Sequence, residues 1–393
     1  MEVLTSVDAR VPHLIPASSQ GCIAHVVPEY LPRSATFIHT LLSHQTRFRP
    51  LVLTQCLSHL DEFPVERVLP LGGRSSVLLR AMRRLRAVAS RYGTDYERRI
   101  AEEASRAGCL LLHAHFGWSG RDSAAAARRL DIPLVTTFYG RDLSEATRAR
   151  RRDPYRRLFA GGVLFLVEGP AMAAHLARIG CPADRIRIVP IGIDVSRFPF
   201  AYRPRSSSFV VVHTGRFVEK KGTDLAIRAF AAARQELGQS ELWLVGDGPL
   251  RKALEVLVDE LDMRDAVRFL GMLSHAEYRE LVARAEVCLQ PSRTARDGDT
   301  EGGAPTVILE MQALGVPVVA TRHADIPFVV PRPDELSDEG DVDALARALV
   351  EAGDEPDAER RARAEEARDF VVTRHDASVT AAAVEALYDE ALA

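Results

Sequence analysis

Phe209-Val-Val-Val-His-Thr-Gly-Arg-Phe-Val-Glu-Lys-Lys-Gly-Thr-Asp-Leu-Ala-Ile-Arg-Ala-Phe230 is the stretch from which the fold can be read. Its start, Phe209–His213, is an apolar run of strand length, rich in β-branched residues. A glycine turn at Gly215 follows, then Lys221-Gly222, and Thr223–Glu236 has the spacing of a helix. Strand, turn and helix make half of a βαβ unit, which implies a parallel sheet covered by helices. The alternation continues downstream. Strands are expected at Glu241–Val245, Val267–Phe269, Val287–Gln290 and Val316–Ala320, with helices near Leu250–Leu261, His275–Arg284 and Thr306–Leu314.

Upstream the pattern is the same. Strands are expected at Ile23–Val27, Leu51–Gln55, Cys109–His113, Leu134–Phe138, Val163–Val167 and Arg187–Val189, with helical stretches around Ser76–Ser90 and Arg121–Leu130. Residues 1–20 show no pattern. The polar run Ala201–Ser208 follows the turns around Pro190–Pro199 and reads as a linker. A chain of 393 residues suits two domains. The expected fold is α/β: a Rossmann-like domain over 1–200, a second over 201–372, and a final helix over 373–393 packing back on the first. Two such sheets face each other across a cleft at the carboxyl ends of their strands, where this kind of fold binds ligands.

Composition narrows the class. Apolar residues at 47% and charged residues at 27% are an ordinary globular balance, and no apolar run approaches the roughly 20 residues of a membrane span. No basic segment followed by an apolar core opens the chain, so a cytoplasmic location is expected. The five cysteines are odd in number and never in a CxxC pair, as for reduced thiols. Residues 1–200 hold 28 basic against 18 acidic residues, and the remainder 23 against 36. The basic half could face an anionic surface or substrate, although solvated helix faces give the same count.

Four segments carry chemistry. Arg216 follows the glycine turn, and Lys221-Gly222 precedes a helix; two cations beside free backbone N–H groups suit a diphosphate. A glycine turn with solvated Arg and Lys is the plainer alternative. Val245-Gly-Asp-Gly-Pro-Leu-Arg251 is another strand-to-helix turn, with Pro249 suited to a first helical turn. Val267-Arg-Phe-Leu-Gly-Met272 ends a strand at a glycine where backbone can meet a base edge. In Pro291-Ser-Arg-Thr-Ala-Arg-Asp-Gly-Asp-Thr-Glu-Gly-Gly-Ala-Pro-Thr-Val-Ile-Leu-Glu310 an acidic, glycine-rich loop runs into a helix near Pro305 or Thr306. The N–H groups of Gly303, Ala304, Thr306 and Val307 suit a phosphate, Glu310 can accept from a ribose diol, and Glu301 can grip sugar hydroxyls.

In this order, Gly215-Arg216, Lys221-Gly222, Gly246-Asp-Gly-Pro249, Phe269-Leu-Gly271, Glu301–Glu310 and Gly315-Val-Pro-Val-Val-Ala320 resemble the family-4 retaining glycosyltransferases of GT-B architecture. Val189-Pro-Ile-Gly-Ile-Asp194 resembles that family's interdomain segment. His113-Ala-His-Phe-Gly-Trp-Ser-Gly120, Thr137-Phe-Tyr-Gly-Arg-Asp142 and Pro32-Arg-Ser-Ala-Thr-Phe-Ile38 resemble its colanic-acid and exopolysaccharide branch. The resemblance implies that Arg216 and Lys221 neutralise the donor diphosphate and that Gly303, Ala304, Pro305 and Thr306 line it. It implies that Glu310 holds the ribose, Met272 lies beside the base, Glu301 touches the donor sugar, and His115 stands near the reaction centre. Two departures matter: Glu301 and Glu310 are nine positions apart instead of eight, and Tyr139 stands where many members have His.

The resemblance thus implies metal-independent transfer, with retention, of a hexose-type sugar from a nucleotide-diphosphate donor, a UDP-sugar foremost. The acceptor would be a glycan, a lipid-linked saccharide or a small molecule. Asp297 and Asp299 lack a His or further carboxylate to complete a recognisable metal set, and no cofactor is expected. The basic stretches Leu79–Arg86 and Arg148–Arg157 could rest on an anionic membrane, yet such runs are more often solvated; lacking interleaved aromatics, they do not suit nucleic acid. A sugar-nucleotide epimerase of similar fold, or a non-catalytic nucleotide-sugar-binding protein, would use the same donor features.

Overall fold

The computed structural model of the chain describes residues 21–32, 35–72, 89–148, 155–202, 204 and 208–393. Residues 1–20, the stretch Leu79–Arg86, most of Arg148–Arg157, part of the 201–208 linker and nearly all of the helix expected over Ser76–Ser90 lie outside them.

Two parallel sheets form the framework. The first contains β1 (Cys22–Tyr30), β2 (Arg49–Leu57), β3 (Val68–Pro70), β4 (Cys109–His115), β5 (Leu134–Thr137), β6 (Leu164–Val167) and β7 (Ile186–Ile188), in the order β3-β2-β1-β4-β5-β6-β7. Between its strands run α1 (Thr36–His44), α2 (Ala89–Arg106), α3 (Gly117–Leu130), α4 (Arg141–Arg148), α5 (Arg156–Gly161) and α6 (Pro170–Arg178). The second contains β8 (Phe209–Thr214), β9 (Ser240–Val245), β10 (Val267–Gly271), β11 (Val287–Gln290) and β12 (Val318–Ala320), in the order β10-β9-β8-β11-β12. Its helices are α7 (Thr223–Leu237), α8 (Arg251–Glu260), α9 (His275–Val282), α10 (Thr306–Leu314) and α11 (Val342–Asp354). Strand order reverses beside β1 and beside β8, and these switch points put open crevices at the strand ends.

The central strands are short apolar runs because helices cover both faces of a parallel sheet. Cys22–Val27 of β1 and Phe209–His213 of β8 are buried throughout. Helix α3 carries Ala124, Ala126 and Ala127 inward, and small side chains let it lie close to the sheet. Cys22 and Cys109, far apart in sequence, meet between β1 and β4 with Sγ atoms 3.0 Å apart and remain free thiols. The hydrogen bond from Cys109 lowers the Cys22 thiol to about 7, with help from Arg67 and Arg49. Sequence spacing gave no hint of this pairing.

Helix α12 (Asp357–His375) packs on α10, and the chain then crosses to the first sheet. At the crossing Ile193 N–H donates to His375 O (2.9 Å), and Ala377 N–H donates to Ile193 O (2.8 Å). Two passes of backbone therefore run side by side between the sheets. Helix α13 (Ala377–Leu392) returns onto α1, with Val384 and Tyr388 joining Ile23, Leu111 and Leu166 in one core. Glu385, on the buried face of this helix, accepts the N–H groups of Thr46 (3.0 Å), Arg47 (2.8 Å) and Phe48 (3.1 Å). Glu385→Gln keeps the oxygen but removes its charge, so stability should fall by about 1–2 kcal/mol, the difference between charged and neutral acceptors. A urea midpoint unchanged from wild type would refute that role for the carboxylate.

Candidate active site

The cleft between the sheets encloses about 1220 Å³. Its second-sheet wall begins at the β8–α7 turn. Gly222 there has φ +65°, and a Cβ would run into Pro291 O, so only glycine lets the chain turn into α7 against the β11 loop. Arg216 lines the cleft, exposed, and its guanidinium makes no hydrogen bond or ion pair among the described residues. Lys221 also lines it, but its Nζ sits 2.9 Å from Glu301 Oε1, which also accepts from Ser292 Oγ (3.0 Å). Burial opposes charge on Glu301, yet Lys221, Lys220 and Ser292 together hold its carboxyl below the usual range.

The floor is the start of α10. Pro305 caps it without a side-chain hydrogen bond, and Ala304, Pro305, Thr306 and Val307 line the cleft. Gly303 sits behind them, pressed against the Glu168 carboxyl from the first sheet. Gly302, between the two glutamates, has φ +80°, and both Glu301 and Glu310 line the cleft. Tyr278 of α9 donates its hydroxyl to Glu310 Oε2 at 2.7 Å. Burial raises the Glu310 carboxyl above its usual range. Met272, at 65% exposure, flanks the cleft beside Leu273 and Val245.

The first-sheet wall is aromatic. Phe116 stacks on Trp118 (ring centroids 5.0 Å apart), and Tyr139 packs on both Phe37 (4.6 Å) and Phe116 (5.0 Å). All four line the cleft, along with Glu29, Gln55, Arg141 and Glu168. Asp142, buried behind Tyr139, accepts the N–H groups of Gly117 (2.7 Å), Tyr139 (3.1 Å) and Leu143 (3.2 Å) and so fixes the starts of α3 and α4. Burial pushes its carboxyl up to about 6, with those amides pulling the other way.

His115, expected near the reaction centre, does not itself line the cleft. It is fully buried, with Nε2 3.0 Å from His25 Nδ1 and Nδ1 2.7 Å from the Tyr139 hydroxyl. The reason is strand periodicity. His113 and His115 share one face of β4, and that face is covered by α13. Tyr139 takes the cleft position, with His115 behind it. His25, His113 and His115 form a cluster that reading the sequence missed. Both nitrogens of His113 are bonded, to Tyr388 Oη (2.6 Å) and Thr137 Oγ1 (2.7 Å), and burial drives all three imidazoles toward the neutral form. Two hydrogen-bonded chains, Tyr388–His113–Thr137 and His25–His115–Tyr139, thus lie side by side, with the His113 and His115 rings stacked 4.4 Å apart.

Comparison with known proteins supplies the context. Residues 34–197 match a family described as Glycosyltransferase Family 4, and residues 208–355 match Glycosyl transferases group 1. A protein described as the colanic acid biosynthesis glycosyltransferase WcaL of Escherichia coli (strain K12) is 30% identical over 74% of this chain and 75% of its own. The amylovoran biosynthesis glycosyltransferase AmsK of Erwinia amylovora is 32% identical over 61% of this chain and 60% of its own. Among solved structures, Anabaena HepE in complex with UDP-glucose superposes with a TM-score of 0.75 at 18% identity, covering 94% of this chain and all of that one. At that identity the likeness bears on the fold, which is the GT-B arrangement of two facing Rossmann-like sheets.

Proposed function

The chain belongs to glycosyltransferase family 4, and on that premise we propose that this transferase moves a hexose-type sugar, with retention, from a UDP-sugar to a saccharide acceptor. The observation that carries the reading is the convergence of Arg216 and the uncapped start of α10 on one cleft. A departing diphosphate gains negative charge as the glycosidic bond breaks. A guanidinium and free amide ends that are already in place stabilise that charge without reorganising. In this reading Lys221 joins them, Glu310 holds the ribose with Tyr278 fixing its rotamer, Met272 covers the base and Glu301 contacts the sugar.

Residues 1–200 then form the acceptor-side unit, 201–372 the donor unit, and 373–393 the strap that ties the two. The faces of Phe116, Trp118 and Tyr139 suit the apolar face of a pyranose, and the relatives named for colanic acid and amylovoran biosynthesis support a role in polysaccharide assembly. A lipid-linked acceptor would bring the protein to the cytoplasmic face of an anionic membrane as a peripheral visitor. No helix among the described residues is long and apolar enough to cross one.

Thermal shift with UDP-, GDP-, ADP- and dTDP-sugars tests the donor. A ligand at a hundred times its Kd adds about 2.7 kcal/mol, enough for a rise of about 2–4 °C. UDP-sugars should give the largest rise. A flat response to all four would sink the reading, and a preference for GDP would overturn the choice of base alone.

A further inference from the structure

Glu168 is an acidic side chain of the first-sheet wall that meets the donor loop directly, at Gly303. It follows β6, the strand Leu164–Val167, and lines the cleft at only 9% exposure. Its Oε2 lies against Gly303 so closely that a Cβ there would overlap it. No hydrogen bond or ion pair to its carboxyl occurs among the described residues. The next residue, Gly169, is seated against the Asp325 carboxylate, which caps α6 through Ala171 N–H (2.7 Å) and Met172 N–H (3.2 Å). The turn that carries Glu168 is therefore clamped to the opposite half of the molecule.

We propose that Glu168 is a donor-site residue: a carboxylic acid that offers its proton as a hydrogen bond to the diphosphate seated at the start of α10. The inference rests on the donor reading above. Its carboxyl lines the cleft with no protein partner among the described residues, so a ligand seated there would meet it. An ionised carboxylate at this point would repel the diphosphate; a protonated one adds a donor to the amides of Ala304 and Thr306. The surroundings favour the proton. Asp142, Asp325 and Glu301 all face Glu168, as does the Tyr139 hydroxyl, and of these only Glu301 is paired with a cation, Lys221. Burial first, then those three carboxylates, push Glu168 up to about 8.

The sign of the pH dependence follows. Glu168 is mostly protonated at pH 7 and loses its proton as pH rises through about 8, so diphosphate affinity should be full below pH 7 and fall above 8. If only the protonated form binds well, the competent fraction drops about tenfold between pH 7 and 9, and apparent affinity drops with it. Glu168→Gln mimics the neutral acid, with an amide N–H in place of the O–H.

The experiment is isothermal titration of the full chain with UDP and with inorganic pyrophosphate at pH 6.5, 7, 8 and 9, for wild type and Glu168→Gln. Wild type should weaken about tenfold from pH 7 to 9. At pH 9 it should take up a proton on binding, seen by comparing buffers of different ionisation enthalpy. The Gln variant should bind within about threefold of wild type at pH 7 and stay flat. A wild-type profile no steeper than that of the variant, or no proton uptake, would overturn the proposal even if the variant failed to fold. Tenfold weaker binding by the Gln variant at pH 7 would overturn it too. Should wild type bind neither ligand at pH 7, the donor reading itself falls and takes this inference with it.

Discussion

Replacing Arg216 by alanine is expected to lower kcat/KM by about 10²–10³-fold while leaving the fold intact. Removing one preorganised donor to developing negative charge costs about 3–4 kcal/mol of transition-state stabilisation. Arg216 is exposed, so its loss orphans nothing, and surface changes of that kind usually stay within about 0.5 kcal/mol of stability. Lys221→Ala should look different. Its partner Glu301 has a side chain only 8% exposed, and stripping the cation leaves a buried charge. That variant should lose donor binding and also stability, toward the low end of the roughly 3–5 kcal/mol typical of broken buried pairs, because Lys220 and Ser292 remain nearby. Initial rates with the donor identified by thermal shift, together with melting curves, separate the two. If Arg216→Ala turned over donor at a wild-type rate, the cation would not be meeting the leaving group.

Much of the fold was legible because its signals are local. The strand at Phe209 and the helix from Thr223 stand where apolar runs and turn glycines put them, and α10 spans Thr306–Leu314 as expected. Other elements gave weaker signals. The edge strand β3 is three residues long and largely exposed, and α6 opens after Gly169, which has no side chain to cap it, so that its capping carboxylate comes from the distant Asp325. The residues proposed for the donor side also carry local signals: Arg216, Lys221, Met272 and Glu301 lie in glycine-bearing turns between a strand and a helix, and Glu310 follows on α10. The acceptor side was harder. His113 and His115 look like cleft residues until strand alternation and the cover of α13 are both known, and only then does Tyr139 emerge as the side chain in the cleft. Glu168 carries no motif at all. Its character comes from Gly303, Asp325, Asp142 and Glu301, none of them near it in sequence.

Gly140→Ala is expected to reduce kcat by about 100-fold or more while changing UDP affinity by less than about tenfold. Gly140, with φ +82°, lies on the first-sheet wall, and a Cβ there would run into Glu301 O and the Gly302 Cα, which is itself at φ +80°. The obstacle is backbone on both sides, so no side chain can swing away to make room. Beyond about 1–2 kcal/mol for holding an alanine in a left-handed conformation, relief comes only from moving the two halves apart. Parting them by even about 1 Å takes the acceptor wall off the donor sugar, and a misplacement of that size can cost 10²-fold in rate. Most of the proposed diphosphate contacts lie on the second half, which is why binding should largely survive. Turnover measured beside a UDP titration gives the discriminating ratio. A kcat within threefold of wild type would mean that the glycine-to-glycine contact between Gly140 and Gly302 does not set the reactive geometry, and that chemistry proceeds from a more open cleft.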